Sequence, residues 1–423
     1  MIKILKDGVS NREEIFSVVE PKVDVSLIVS EIIDDVKKNG DSALYKYAEK
    51  FDKVKLDSLA VCKDEIDRAA KSVEPEFLRI LNDAANNIRE FHSKQKREGF
   101  EFKRENGVIV GQKIIPVDAA GLYVPGGTAA YPSTVLMDAI PAKIAGVKKV
   151  VIVTPPDKNG NVNPVILAAA SVAGVDEIYK VGGAQAIAAL AYGTESIQKV
   201  DKIVGPGNAF VAEAKKQVFG KVSIDMIAGP SEILVIADKK SNPEVVAADM
   251  LSQAEHDKLA SAVLITESES LATAVQSELE RQIALLPRAE IARISIDDNG
   301  KIIIVKDIER AIEIANDIAP EHLELCVDGA IEYLDKIKHA GSVFVGRNCP
   351  EALGDYMIGM NHTLPTSGTA KFSSALSVDD FIKKTQYAYY TEQALSKIAK
   401  DVEYFAEKEG LTAHAKSAVV RLK

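Results

Sequence analysis

Cysteine is scarce. Cys62, Cys326 and Cys349 are spread over 423 positions without a CxxC pair, an odd count that builds neither a disulfide framework nor a cysteine-rich zinc module and suits reduced thiols. Long apolar runs are missing too. The longest uncharged stretch, Ala119 to Met137, contains Pro125, Gly126, Gly127 and Pro132, a set that no membrane-spanning helix of the needed length would carry. Met1 to Leu5 offers only a few apolar residues before Lys6 and Asp7. That is far short of a signal-peptide core, so a cytoplasmic location is expected. Nor is there a block of one charge: 52 basic and 62 acidic side chains are interspersed, for a net of −10, and nucleic acid finds little to bind. What is present is 47% apolar and 27% charged residues, enough for two or more packed cores and incompatible with disorder or a fibre.

The first 24 residues, which include Pro21, read as an N-terminal arm or small packing element. From Ser26 the run LIVSEIIDDVKK is apolar at helical spacing and ends in two lysines that suit the negative end of the helix dipole, so a helix is predicted that stops at Gly40. A longer helical stretch is expected from about Lys63 to Lys96, then a hairpin in FEFKRENGVIVG turning at Asn106-Gly107. Beyond Pro116 short β-branched runs alternate with Ala-rich helical segments, from VKKVVIVTPP through VDKIVGPG and NAFVAEAKKQVFG. The alternation resumes with EILVIAD, SAVLITES, KIIIV, HLELCV and SVFVG. These are βα units of two parallel sheets. Past Ser377 the chain reads as helix almost to the end. Its apolar stripe (Ala394, Leu395, Ile398 and Phe405 beside Glu392) needs a surface to cover it, such as a partner subunit would offer.

Six histidines divide by neighbourhood. His92 and His339 lie among lysines and are expected on solvated faces; His256, His322, His362 and His414 sit in segments rich in Asp, Glu, Gln, Gly and Pro, where metal or acid-base work is plausible. In AADMLSQAEHD, Gln253 and His256 are three apart on a predicted helix and project from one face. The same spacing also fits a wet helix end. No HExxH is present, and imidazole with amide or carboxylate oxygens suits Zn²⁺ or Mn²⁺. In IAPEHLEL, Glu321 and His322 stand at the entrance of a strand as a possible proton-transfer pair, or as an ordinary polar loop. Glycine-rich turns at Tyr123 to Gly127, Val181 to Gln185 and Gly205 to Asn208 permit a phosphate-bearing ligand, yet none matches GxGxxG or GxxxxGK[ST]. Ser231 in AGPSE lacks the GxSxG frame of a nucleophile elbow.

Taken together, GLYVPGG, GGAQAIAALAYGTE, VDKIVGPGNAFVAEAKKQV, DMIAGPSEILVIAD, LSQAEHD, PEHLEL, GDYMIGMNHTLPTSGTA and EGLTAHAKSAVV resemble the histidinol dehydrogenase family, in order, from Leu122 to Val420. The resemblance implies an α/β fold of two incomplete, mutually related Rossmann-like domains with small N-terminal and helical C-terminal units. The expected division is 1–24 as an arm, 25–115 with 233–376 as a discontinuous first α/β domain, 116–232 as an inserted second, and 377–423 as a dimer-packing helical unit. It further implies a cytoplasmic homodimer, without nucleic-acid or membrane partners, that uses NAD and zinc to oxidise L-histidinol through L-histidinal to L-histidine. Residue by residue, it places metal ligands at Gln253, His256, Asp355 and His414, the last lent by the partner subunit; acid-base chemistry at Glu321 and His322; cofactor contacts at Tyr123, Gln185 and Asn208; and further substrate contacts at Ser231, His362 and Glu409. Met357 and Ile358 depart slightly from the family's smaller residues. An NAD-dependent dehydrogenase of another small alcohol, such as a sulfonated one, and a zinc hydrolase are the alternatives. A thiol nucleophile at Cys326 or Cys349 is disfavoured, because free cysteine is usually core.

Overall fold

The computed structural model describes residues 1–17, 24–126 and 130–422, so Pro21 and Gly127 lie outside the described residues. In chain order the first strands are β1 (Lys3–Lys6), β2 (Phe100–Lys103), β3 (Ile109–Pro116), β4 (Ala119–Tyr123), β5 (Lys149–Thr154), β6 (Glu177–Lys180) and β7 (Lys202–Val204). Then come β8 (Ser223–Ile224), β9 (Glu232–Ala237), β10 (Ser261–Thr266), β11 (Lys301–Ile304), β12 (His322–Cys326), β13 (Ser342–Val345) and β14 (Ile382–Tyr389). The chain forms two compact units, one of Met1–Gln95 with Asp118–Phe381 and one of Lys96–Val117 with Ile382–Lys423.

The larger unit holds two parallel sheets, ordered β1-β11-β10-β9-β12-β13 and β6-β5-β4-β7-β8. Both have one plan. The chain starts in the middle, at β9 or β4, runs outward to one side, then crosses back beside its starting strand with β12 or β7. Each sheet therefore carries a switch point where strand order reverses, the position at which open α/β sheets part to admit a ligand. Helices on both faces explain why these strands read as unbroken apolar runs. Along β9, Ile233, Val235 and Ala237 pack with the helices Pro243–Ala254 and Glu269–Ile283, whereas Leu234 and Ile236 face the helix Ile308–Ile318. The alternation is there; both sides are simply dry. The arm's first residues add β1 to the edge of the larger sheet, in register with β11 from Lys3 opposite Lys301.

The helix expected to stop at Gly40 does break there: Gly40 adopts φ 51°, ψ −132°, and a second helical segment leaves the kink and runs on to Tyr47. Three local readings are corrected. The stretch from Lys63 is two helices, Lys63–Ser72 and Pro75–Ser93, parted where Pro75 opens the second. His92 is fully buried: it lies one turn beyond Ile88 on the apolar face Leu81, Ala84, Ala85, Ile88, and its Nδ1 meets Gln95 Oε1 at 2.7 Å. The nearby Lys94 and Lys96 stand at and beyond the end of this helix, so they carry no information about its buried face. Finally, Ile382–Tyr389 is not helical but strand β14.

In the smaller unit β14 pairs antiparallel with β3 over eight residues, and β3 with β2 through a hairpin whose Gly107 has φ 76°. The hairpin is the one expected. Two helices follow, Glu392–Lys408, capped by the Thr391 hydroxyl accepting from Ala394 N, and Thr412–Val419. No helix among the described residues is long and apolar enough to cross a membrane.

One packing feature has a measurable cost. Glu324, in mid-β12, meets Asp249 of the helix Pro243–Ala254 in the interior, and burial followed by the neighbouring Asp249 charge pushes Glu324 up to about 9. Asp249 is raised as well, by burial. The folded protein keeps a proton there that the unfolded chain releases in the ordinary carboxylate range, so this pair loses stability as pH rises toward 9. Glu324→Gln retains the acceptor for Glu351 N, now at 2.7 Å, and removes the titration. Thermal melts from pH 5 to 9 should show the variant close to the parent at pH 5 and exceeding it by a margin that grows steadily from there toward pH 9, by on the order of 1 kcal/mol per pH unit. Parallel curves would refute this.

Candidate active site

Glu321 and His322, the expected acid-base pair, lie at the amino end of β12, beside the amino end of β9. His322 is the first residue of its strand and Glu232 the first of β9, and the parallel register places His322 against Ile233. Three contacts fix the pair. His322 Nδ1 bonds to the Glu232 carbonyl oxygen at 2.9 Å, Glu232 N donates to Glu321 Oε2 at 2.8 Å, and the Glu232 carboxylate accepts Ser367 N at 2.9 Å. Because a carbonyl can only accept, Nδ1 carries the hydrogen and Nε2 keeps its lone pair. That free nitrogen points toward Glu351 Oε1, 3.7 Å away.

Around this nitrogen the remaining groups gather. Gln253 closes the helix Pro243–Ala254, and its side chain faces the Glu351 carboxylate. The helix ends earlier than expected, at Ala254, and His256 is held in the following turn by its N–H to Gln253 O at 3.0 Å. Asp355, four residues after Glu351 and within the short helix Ala352–Tyr356, takes His362 Nδ1 at 3.3 Å and feels the charges of His322 and His256. Donor atoms of His322, Glu351 and Asp355 all lie within 4.8 Å of one another. Gln253 Oε1 and Glu351 Oε1 are buried without a hydrogen-bond partner, which is the mark of a site built for something else.

Electrostatics follow from burial. Burial pushes the Glu321 carboxyl well up, and the nearby acids Glu232, Asp355 and Glu351 add to the effect. Burial lowers His322 to about 4, against the pull of Asp355, so its imidazole is neutral at pH 7. His256 is lowered too, by desolvation, although the residue as a whole is exposed. For His362 burial works against the charge, but the Asp355 hydrogen bond and charge outweigh it and raise the imidazole. Cys326 is buried and its thiol is driven up by burial, which leaves it inert as a nucleophile.

The second sheet meets this cluster with its carboxyl end. Thr134, in the helix Pro132–Ala145 that follows β4, lies 3.4 Å from His362 Nε2; Asn361 Nδ2 donates to Met137 O at 2.7 Å, and the Thr363 hydroxyl to Asp138 Oδ1 at 3.0 Å. At the β4/β7 switch point stand Tyr123, whose hydroxyl accepts Gly183 N at 3.0 Å, the buried Gln185, and Asn208. Asn208 caps the helix Ala209–Val218 through its side-chain oxygen, which leaves its amide N–H groups free to donate. Two helix amino termini, at Gly183 and Ala209, open here. Ser231 directly precedes Glu232 on the segment joining the sheets.

Glu409 and His414 belong to the smaller unit, at the end of one helix and within the next, and both are exposed. Sequence reasoning missed Glu351, Glu232 and Thr134. The i, i+4 spacing of Glu351 and Asp355 in PEALGD could have revealed the first; nothing in the sequence marks the other two.

Fold and site together define the class: this is an α/β oxidoreductase. The family model described as histidinol dehydrogenase matches residues 19–422. Histidinol dehydrogenase of Clostridium acetobutylicum is 55% identical over 428 residues, covering 100% of this chain and 99% of that one, and that of Geobacillus kaustophilus is 53% identical over 421 residues at the same coverage. The crystal structure of histidinol dehydrogenase from Elizabethkingia anophelis matches with a TM-score of 0.93 and 42% identity, over 100% of this chain and 98% of that one. The chain belongs to the histidinol dehydrogenase family.

Proposed function

We propose that this protein carries out the four-electron oxidation of L-histidinol to L-histidine through L-histidinal, with two NAD⁺ and one zinc ion per site, as a cytoplasmic homodimer whose subunits share their active sites. The observation that carries the reading is the cluster beside the buried Glu321–His322 pair: His322, Glu351 and Asp355 bring donor atoms within 4.8 Å of one another, Gln253 faces Glu351, and His256 lies within charge range of Asp355. The donor set fits zinc. Amide oxygen, imidazole and carboxylate are its usual hard-to-borderline ligands, and the orphaned Gln253 Oε1 lacks any other partner. Gln253, His256 and Asp355 would hold the ion with His414 of the partner subunit, and the ion would supply an electrostatic anchor for the substrate's imidazole and amine.

NAD⁺ would supply the hydride acceptor, on the β4/β7 switch point, where Tyr123, Gln185 and Asn208 present donors beside two helix amino termini. Neutral His322, with Nε2 unprotonated, takes the hydroxyl proton as the alcohol is oxidised. Glu321, its carboxyl raised by burial and so more basic once ionised, takes the proton from the water that adds to the aldehyde. Ser231, His362 and Glu409 orient the substrate, His362 through its pairing with Asp355. Enclosure of the aldehyde in a buried site limits its loss between the two steps.

The test counts product. Purified protein given histidinol and excess NAD⁺ with zinc should yield two NADH per histidinol. NADH only from a sulfonated or other small alcohol would assign the activity to a different substrate, and ester or amide cleavage without NADH would assign it to a hydrolase; either outcome refutes the proposal.

A further inference from the structure

Lys215 is among the most deeply buried side chains in the molecule, 1% exposed, and it pairs with an equally enclosed carboxylate, Asp225. A buried ion pair contributes little net stability, since desolvation offsets the Coulomb gain; its importance lies in what else it holds. Here it holds one glycine by both backbone groups. Lys215 Nζ donates to Gly205 O at 2.9 Å, and Asp225 Oδ2 accepts Gly205 N at 2.8 Å. Gly205 has φ +112°, and a Cβ there would collide with the Tyr123 carbonyl, so the position is both conformationally special and closely packed. It follows β7, and the turn it opens ends at Asn208. The other Asp225 oxygen accepts Met226 N at 2.6 Å, at the start of the segment that runs to Ser231. One ion pair thus anchors the Gly205–Asn208 turn to the connection between the two sheets.

We propose that Lys215 and Asp225 are positioning residues for the dinucleotide: they clamp Gly205 at the β4/β7 switch point, so that Asn208 and Tyr123 keep the spacing at which the cofactor binds. The inference rests on the reading of that turn as a cofactor contact. Loss of the lysine leaves the Gly205 carbonyl and the Asp225 charge without their partner and lets the turn move against Tyr123.

Two variants separate positioning from simple support. Lys215→Met strands a buried carboxylate and should lower the melting temperature; Lys215→Met/Asp225→Leu removes the stranded charge and should recover part of that loss, the Gly205 backbone groups remaining without their partners. Calorimetric titration then measures NADH and histidinol binding to zinc-loaded protein separately. Both variants should bind NADH weaker by roughly tenfold, the loss expected of a charge-assisted hydrogen bond, with histidinol affinity unchanged. Recovery of NADH affinity along with the melting temperature in the double variant, or parental NADH affinity in either folded variant, overturns the inference while leaving the cofactor reading intact. Failure of the parent protein to bind NADH overturns both. The double variant carries the comparison if the single one does not fold.

Discussion

His322→Asn should slow the first hydride transfer from histidinol by about 10²- to 10⁴-fold, the range over which a positioned general base contributes, with little change in histidinol affinity. The size follows from geometry. His322 Nδ1 is committed to the Glu232 carbonyl, so the ring cannot flip without stranding a buried donor, and Nε2 is the nitrogen left to accept a proton. Burial keeps the ring neutral at every pH above about 4, so the alcohol step should show no acid limb from this residue near neutrality. Glu321→Gln should behave differently. The amide can still accept Glu232 N, so the fold survives, but no base remains for the water that adds to the aldehyde. Oxidation of supplied histidinal should fall by a similar factor while histidinol oxidation to the aldehyde persists. In the parent, the raised Glu321 carboxyl must ionise to act, so the aldehyde step should rise with pH through that ionisation, and the rise should vanish in the Gln variant. Single-turnover NADH bursts from each substrate measure the two steps separately. Equal losses in both steps for both variants contradict the division of labour.

Elements built on apolar periodicity were legible in the sequence; contacts made across the fold were not. Runs such as EILVIA and HLELC read as strands because both faces of a parallel sheet are covered, and Glu321–His322 was placed correctly at a strand entrance. The spacing of Gln253 and His256 was informative, although the helix ends between them and a turn does the final placing. His92 misled because the lysines beside it in sequence, Lys94 and Lys96, follow the end of its helix and say nothing about the face that His92 shares with Ala85 and Ile88. IKKTQYAY misled in the same way: two adjacent lysines and a glutamine suit a helix as well as an exposed strand, and only pairing with β3 decides. The two adjacent lysines of AEAKKQV looked alike, yet Lys215 is interior and Lys216 exposed. Helical spacing sets Lys215 on the buried face with Val211, Ala214 and Val218, but the carboxylate that makes this burial tolerable comes from beyond β8 and could not be foreseen. The Asp355–His362 contact, seven residues apart around a turn with Gly359 at φ 91°, was equally invisible. Motif resemblance carried those residues instead, and it could do so because it rests on residue identity rather than on local conformation.

The proposed loan of His414 between subunits predicts complementation. His256→Ala and His414→Ala should each lose nearly all turnover when assembled alone, since every site then lacks one zinc ligand, and chelation of the parent should do the same while leaving the dimer folded. Unfolding and refolding an equal mixture lets subunits pair at random, so about half the dimers contain one of each. In such a dimer one site combines both defects and is dead. The other joins an intact His256 to an intact His414 of the opposite chain and is whole. Half the dimers with one working site of two gives about a quarter of the parent's activity per subunit, carrying about a quarter of its bound zinc. The two readouts should rise together, because both report the same completed ligand set. If His414 instead served the site of its own chain, each subunit of a mixed dimer would keep its own lesion, and neither activity nor zinc would return. Exposure of His414 and Glu409 on the smaller unit leaves both side chains free to meet a second copy, and the mixing experiment decides whether they do.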